Sequence, residues 1–187
     1  LGVDALLEQA TDVLHRAGVR NQQQLDGAAA EAFDTAGYGF AAAQTRLSDI
    51  PPPVLSRAKA IIADTVAVIA SGMQAPELKS LCGSHLPSVA AGPCAVIGAG
   101  QRTNRLDAAL INGTAGVWLD YDEGNLFMRG HPGIQLIPAA LGCAEERRAA
   151  GADLLAAVAV AYEACGRVSG ASRMRQIIHP HGTFGTI

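Results

Sequence analysis

The sequence is poor in aromatic side chains and in charge. Of its 187 residues, 4% are aromatic and 17% are charged, whereas 49% are hydrophobic. A β-sandwich draws on aromatic and β-branched residues for its core, so this composition argues against one. Glycine and alanine are abundant instead. The composition therefore predicts closely packed helices with small side chains at their contacts, in one domain or in one lobe of a larger protein.

Basic tracts and long apolar runs are also missing, and each absence excludes a class of partner. The formal net charge is −3, and no cluster of Lys and Arg supplies the electrostatic footprint of a nucleic-acid-binding protein. The most apolar runs, 60–70 and 154–162, are too short to span a bilayer. No basic segment followed by an apolar stretch opens the chain, so no secretory signal is expected. We expect neither nucleic acid nor a membrane as a partner.

The cysteines lack the spacing of a metal site or of a redox pair. Cys82, Cys94, Cys143 and Cys165 are scattered along the chain without a Cys-x-x-Cys pair. We interpret them as small buried side chains in the reducing environment of the cytoplasm, which is the predicted location of the protein.

Hydrophobic periodicity predicts an all-α, bundle-like domain with at most one short strand pair. A largely buried helix is expected over residues 54–72, because three prolines before it suit a helix start and Gly72 supplies a stop. A short helix is predicted over 76–85 and a short strand over 94–97. Thr103 is the predicted N-cap of a helix that ends near Leu119.

Beyond an irregular segment at 120–132, two further helices are predicted over 133–149 and 152–171. The second places Glu163 and Arg167 one turn apart, which is the spacing of an ion pair. We divide the chain into an N-terminal extension over 1–45, helical in part, and a helical domain over 46–187. Because the chain stops on a glycine-bearing turn, we expect that domain to be incomplete at its C-terminal end.

Acidic residues follow the helix predicted to end near Leu119. Asp120, Asp122 and Glu123 lie there, and His131 follows a short loop later. The C-terminus of a helix is electrically negative, so carboxylates close to it are locally unfavourable, and such a conflict points mildly to function. A solvated acidic loop with a surface histidine is the other interpretation that spacing alone leaves open.

A second polar stretch combines arginines and histidines near a glycine. It contains Arg173, Arg175, His179 and His181. Arginine binds carboxylates through its bidentate fork, and histidine titrates near neutral pH. A polar loop between helices is the alternative. A metal site is not expected, because a His-x-His pair is common by chance and no Cys or Glu stands at a zincin spacing.

In order, these stretches resemble the MmgE/PrpD family, which includes 2-methylcitrate dehydratase and cis-aconitate decarboxylase. The family carries segments of the form A-x-x-N-G, D-x-D-D, G-H-P, P-A-x-x-x-x-A-E, G-Y-E-x-x-x-R and F-H-P-T-G-T-x-G. The corresponding segments here are residues 109–113, 120–123, 130–132, 138–145, 161–167 and 178–185. Each segment is weak alone, but the set is collinear and spans residues 46–187.

The resemblance implies a helical domain that packs against a lid domain, with the active site between them. It implies lyase chemistry, a dehydration or decarboxylation of a small polycarboxylate without metal or cofactor, or else an epimerisation. It assigns catalytic roles to Asp120, His131 and His179. Substrate carboxylates and hydroxyls would then be bound by nearby polar residues, which we take to be Asp122, Arg173, Arg175 and His181.

Several positions depart from the family pattern. Glu123 stands where an Asp is usual, His181 replaces Thr or Pro, and no His stands at residue 116 or 117. These departures bear on the identity of the substrate. Because the family's lid domain does not follow in this sequence, we expect the chain alone to be inactive and to require a lid domain or second subunit, with a homodimer as the expected assembly. A natural half-subunit or a non-catalytic scaffold that binds a partner is the alternative.

Overall fold

Helices dominate the computed structural model, which describes residues 43–126, 128 and 130–171. The α-helices are α1 (Pro52–Gly72), α2 (Pro76–His85), α3 (Arg105–Val117), α4 (Pro132–Arg147) and α5 (Gly151–Ala171). Two short strands, β1 (Cys94–Val96) and β2 (Gln101–Thr103), pair antiparallel with Cys94 opposite Thr103. Single 3-10 turns form at Leu47–Asp49 and Leu86–Ser88. The predicted helical domain with at most one short strand pair is confirmed.

Helix α1 ends at Gly72, as the sequence predicts, and begins at Pro52, two residues before the predicted start. Pro51 precedes it, Pro52 and Pro53 occupy its first turn, and Gly72 is its last residue. Prolines suit a first turn because the N–H groups there have no partner within the helix. The prediction that this helix is largely buried is wrong. Only one face is buried, through Ala58, Ile61, Thr65, Ile69 and Gly72, because α1 lies at the surface of the domain.

The start of α3 differs from the prediction by one residue. Asn104 is the N-cap, and its side-chain oxygen accepts hydrogen bonds from the backbone N–H groups of Leu106 and Asp107. Thr103 instead ends β2, where its hydroxyl donates to the backbone oxygen of Ala90 at 3.2 Å. Both residue types cap helices well, so the pairing of Thr103 with Cys94 decides between them.

Small residues permit very close contacts between α1, α3 and α4. A Cβ atom on Gly72 would lie 1.9 Å from the backbone oxygen of Ala115, and one on Gly116 would lie 1.9 Å from the Cδ1 atom of Ile134. The predicted use of small side chains at helix contacts is therefore confirmed. The core around these contacts contains Ile69, Met73, Leu78, Cys82, Val96, Ile111, Ala115 and Ile134.

Two polar side chains, the buried Asn112 and the partly exposed Glu145, fix the strand pair against the helices. The Asn112 side chain, on α3, accepts from the N–H of Ile97 and donates to the oxygen of Ala95, both at 2.9 Å. Glu145, on α4, accepts from the N–H of Ala95 at 2.8 Å and from the Arg102 guanidinium at 3.0 Å. Two residues of the family segments thus have structural roles. They satisfy backbone groups that a two-stranded pair leaves unpaired.

Within residues 43–126, 128 and 130–171, no helix combines the length and apolar character that crossing a bilayer requires.

Three of the four cysteines are buried, as predicted for small hydrophobic side chains: Cys82, Cys94 and Cys165. The prediction is wrong for Cys143, which is exposed on α4.

Candidate functional site

The segment between α3 and α4, residues 118–131, is here called the site loop. Near its start, Asp120 adopts a left-handed conformation, at a φ of 54°, and its N–H donates to the oxygen of Val117 at 3.1 Å. Non-glycine residues rarely adopt positive φ, although Asp and Asn do so more readily than most. This turn ends α3 and directs the chain toward the start of α4, with Asp120 itself exposed.

Asp122, near the start of the site loop, contacts His131 at its end. The Nδ1 atom of His131 lies 3.2 Å from the Oδ2 atom of Asp122 and also 3.2 Å from the Asp122 backbone oxygen. The Asp122 side chain is only 1% exposed, whereas that of His131 is 25% exposed. A buried carboxylate requires a polar or cationic partner, and the imidazole supplies one. With a proton on Nδ1 facing Asp122, Nε2 becomes the proton-accepting nitrogen of neutral His131.

Glu123 joins the site loop to the first turn of α4. His131 occupies the N-cap position, but its side chain makes no capping hydrogen bond. The Oε2 atom of Glu123 instead accepts from the backbone N–H of Gly133 at 3.0 Å. A carboxylate is favoured there because the N-terminus of a helix is electrically positive and its first N–H groups lack partners.

The other carboxylate oxygen of Glu123 is bound from α5. The hydroxyl of Tyr162 donates a short hydrogen bond to Oε1, and the same hydroxyl accepts from the Asn125 side chain at 3.2 Å. Burial, followed by the hydrogen bond to Glu123, raises the pKa of Tyr162 well above its ordinary range. Tyr162 is therefore a neutral phenol that donates a hydrogen bond to the Glu123 carboxylate.

Gly133 leaves room for this arrangement. A Cβ atom there would lie 2.8 Å from the Oε2 atom of Glu123 and 3.2 Å from side-chain atoms of both Ile61 and Thr65. The start of α4 thus lies directly against α1, with the Glu123 carboxylate above it. Any larger residue at this position would compete with that carboxylate for space.

The structure brings some of the predicted site residues into one loop. Asp120, Asp122 and His131 all belong to the site loop, and Asp122 contacts His131. Arg173, Arg175, His179 and His181 lie outside the described residues, so their predicted roles stay predictions. Within the part of the chain that the structure describes, no three His, Cys, Asp or Glu side chains come together as a group that could hold a metal ion.

Two contributors to this region were not identified from sequence. The sequence places Glu123 in the acidic stretch after α3 and marks it as a departure from the family pattern, but it assigns no role to Glu123 or to Tyr162. Their contact joins positions 39 residues apart in the sequence, and local patterns carry no signal for it. Glu163, next to Tyr162, behaves as predicted, because its carboxylate lies 2.7 Å from the Arg167 guanidinium in the expected ion pair.

The fold and the site loop together define a mostly helical domain that presents an Asp–His pair at the start of a helix. Comparison with protein families shows which domain this is. The MmgE/PrpD N-terminal domain matches residues 39–187, and the chain belongs to this family. A comparison with curated proteins found no match.

Proposed function

We propose that this chain is the helical lobe of a cofactor-independent lyase that acts on a small polycarboxylate. The observation that carries the proposal is the buried Asp122 carboxylate 3.2 Å from Nδ1 of the partly exposed His131 imidazole. A carboxylate in this position orients the ring, selects its tautomer and stabilises the imidazolium that forms when Nε2 takes up a proton. Membership of a family that includes dehydratases supports the same assignment.

The proposed reaction begins with proton transfer at the carbon α to a substrate carboxylate. Nε2 of His131 takes the proton, and the electron pair of the broken C–H bond is delocalised into the carboxylate. In a dehydration, this pair then forms the new C=C bond while the β-hydroxyl leaves as water with a proton from an acid. We assign that acid to Asp120 or His179. A decarboxylation would break a C–CO2 bond instead, and the resulting carbanion would receive the proton.

Substrate binding is assigned to residues that suit carboxylates and hydroxyls. Arg173 and Arg175 would bind the carboxylates that do not react, and His181 would complete the pocket around them. Asp122 was expected to bind substrate as well, but its side chain is only 1% exposed and faces the His131 ring, so we assign it to orienting that ring. The left-handed conformation of Asp120 supports its place at the site, because strained backbone is found preferentially where function requires it. An epimerase would use the same first step and return the proton to the opposite face.

The test uses the full-length protein and a panel of di- and tricarboxylates, some with a β-hydroxyl group, followed by proton NMR in D2O. Exchange of the α-proton reports the first step of a dehydration or an epimerisation, whereas deuterium in the product at the carbon that lost CO2 reports a decarboxylation. We expect His131→Ala to abolish both exchange and turnover, and His179→Ala to lower turnover. His85→Ala is the matched control, since His85 pairs with Asp107 outside the site loop. Unchanged turnover in both site variants would refute the proposal.

We also propose that a lid-type domain covers the site. Leu106 and Leu110 on α3 are 71% and 59% exposed, and Tyr121 and Leu126 in the site loop are 77% and 98% exposed. Leu106, Leu110 and Val117 follow helical spacing along one face of α3. Large exposed apolar side chains mark interaction surfaces. Because this group continues into the site loop, a partner that covers it would also exclude water from Asp122 and His131.

The covering partner is tested with Leu110→Glu in the full-length protein. We expect turnover to fall while far-UV circular dichroism stays the same, because position 110 is on the surface. Val54→Glu, at an exposed apolar position on α1, is the control and should leave turnover unchanged. If light scattering shows that Leu110→Glu halves the mass in solution, then the face contacts a second copy of the chain and the lid proposal is wrong.

A further inference from the structure

We propose that Glu123 is a positioning residue that sets the place and orientation of the His131 imidazole. This inference rests on the proposed function and adds to it a residue that does not touch the substrate. The observation behind it is that one carboxylate binds the first turn of α4 and the Tyr162 hydroxyl of α5 at the same time.

Helix α4 takes the acceptor for its first turn from a distant residue. Its own N-cap, His131, makes no side-chain capping hydrogen bond. Glu123, ten residues earlier in the chain than Gly133, supplies the missing acceptor. A carboxylate that accepts a hydrogen bond at the start of a helix stabilises the first turn, because the N–H groups there lack partners and the helix end is positive. Glu123 therefore stabilises the start of α4 at this position.

Two short covalent connections link Glu123 to the His131 ring. On one side, Asp122 is the residue next to Glu123, and it provides both the carboxylate and the backbone oxygen that face Nδ1. On the other side, His131 is two residues before Gly133, whose N–H binds Glu123. A single carboxylate thus fixes the backbone that carries the ring and the group that orients it. Displacement of Glu123 would move both.

Tyr162 keeps Glu123 from rotating away. Its hydroxyl donates to Oε1 and accepts from Asn125, which itself pairs with Gly130 through backbone hydrogen bonds of 2.8 and 3.3 Å across the site loop. The side-chain oxygen of Asn125 also accepts from the N–H of Met128 at 3.0 Å. Both ends of the segment between Glu123 and His131 are therefore tied to one connected set of hydrogen bonds.

The test measures His131 directly in the full chain and without substrate. Two-dimensional NMR of the imidazole groups gives the ring shifts and the pKa of each histidine, and the resonance missing from His131→Ala assigns that residue. Three variants are compared: Glu123→Ala removes both contacts, Glu123→Gln keeps an acceptor for the helix but loses the charge, and Tyr162→Phe removes one donor. Glu163→Gln is the matched control, since it neutralises the neighbouring acid on α5, which pairs with Arg167.

We expect the His131 shifts and pKa to move most in Glu123→Ala, less in Glu123→Gln and Tyr162→Phe, and not in Glu163→Gln. Misplacing a catalytic group by about 1 Å costs on the order of a hundredfold in rate. On any substrate that the panel identifies, kcat of Glu123→Ala should therefore fall about 10- to 100-fold with little change in KM, and Glu123→Gln should recover part of it.

Two results would overturn the inference. In the first, Glu123→Ala lowers the melting temperature but leaves the His131 signals where they are, so that Glu123 only stabilises the fold. In the second, Glu163→Gln moves His131 as far as the Glu123 variants do. If Glu123→Ala does not fold, then unchanged His131 signals in both Glu123→Gln and Tyr162→Phe overturn it. Inactivity of the wild-type chain on the whole panel would contradict the proposed function alone, since the NMR result needs no turnover.

Discussion

Replacing Gly133 by alanine tests the hydrogen bond between Gly133 and Glu123 without changing Glu123 itself. The added Cβ atom would lie 2.8 Å from the Oε2 atom of Glu123, which is closer than real Cβ contacts allow. The carboxylate end can swing aside, but only by giving up its hydrogen bond to the Gly133 N–H. Ile61 and Thr65, each 3.2 Å from the new atom, restrict movement of α4 in the other direction. We expect the carboxylate to leave the helix.

The magnitude follows from two opposing contributions. A hydrogen bond to a charged group contributes about 1.5–3 kcal/mol to the free energy of unfolding. Alanine is better than glycine within a helix by up to about 1 kcal/mol, and by less in the first turn. The net loss is therefore roughly 1–2 kcal/mol. For a chain of this size that lowers the melting temperature by about 2–8 °C.

Urea unfolding followed by circular dichroism measures this loss, with Gly83→Ala as the control. Gly83 is an exposed position of α2 where a Cβ atom would have no neighbour within 4 Å. Alanine there should stabilise the chain by about 0.5–1 kcal/mol through helix propensity alone. If Gly133→Ala also stabilises the chain, or changes its stability by less than about 0.5 kcal/mol, then the hydrogen bond from Gly133 to Glu123 contributes nothing and our account of the helix start is wrong.

Three further predictions concern the scaffold. Gly72→Ala forces a Cβ atom to within 1.9 Å of the Ala115 backbone oxygen, so we expect a loss of about 2 kcal/mol or more in urea unfolding, and a neutral result would show that α1 can move away. Asn112→Ala leaves two buried backbone groups beside β1 without partners and should cost about 2–4 kcal/mol by the same measurement, whereas a cost below about 0.5 kcal/mol would contradict this role. The hydrogen bond from His85, followed by that from Asn104, lowers the pKa of Asp107 in the folded chain. Its contribution is therefore complete above the ordinary Asp pKa near about 3.9 and lost as the pH falls below it, so the urea midpoint of Asp107→Asn should depend less on pH between about 5 and 3 than that of the wild type.

The helix limits were predictable because local residues set them. The prolines before α1 and the glycine at its end act within one or two residues of the boundary, and their effect does not depend on the rest of the fold. The start of α3 was missed by one residue because Thr103 and Asn104 are both good caps. The choice depends on the pairing of β1 with β2, which is a contact between residues distant in sequence.

The sequence predicted which residues belong to the site, but not which of them contact each other. The resemblance to the family names Asp120, Asp122 and His131, and the structure adds that Asp122 is buried and faces the ring. Which of the three neighbouring acids contacts which group depends on the path of the loop between two packed helices. The contact between Glu123 and Tyr162 depends on where α5 lies against that loop, and no spacing rule in the sequence contains this information.

The site loop contains one unfavourable backbone conformation, at Asp120, and one firmly bound side chain, that of Glu123, and the two are related. The left-handed backbone of Asp120 costs about 1–2 kcal/mol relative to the right-handed form, so a loop with weak contacts would relax there and turn the carboxylate away. Three residues later, the Glu123 carboxylate is held by a backbone N–H of α4 and by a side chain of α5. Strain persists where the surroundings over-determine a conformation. Because Glu123 lies within the same short segment, its hydrogen bonds offset the cost at Asp120. The loop can therefore keep Asp120, Asp122 and His131 in one arrangement before any substrate binds.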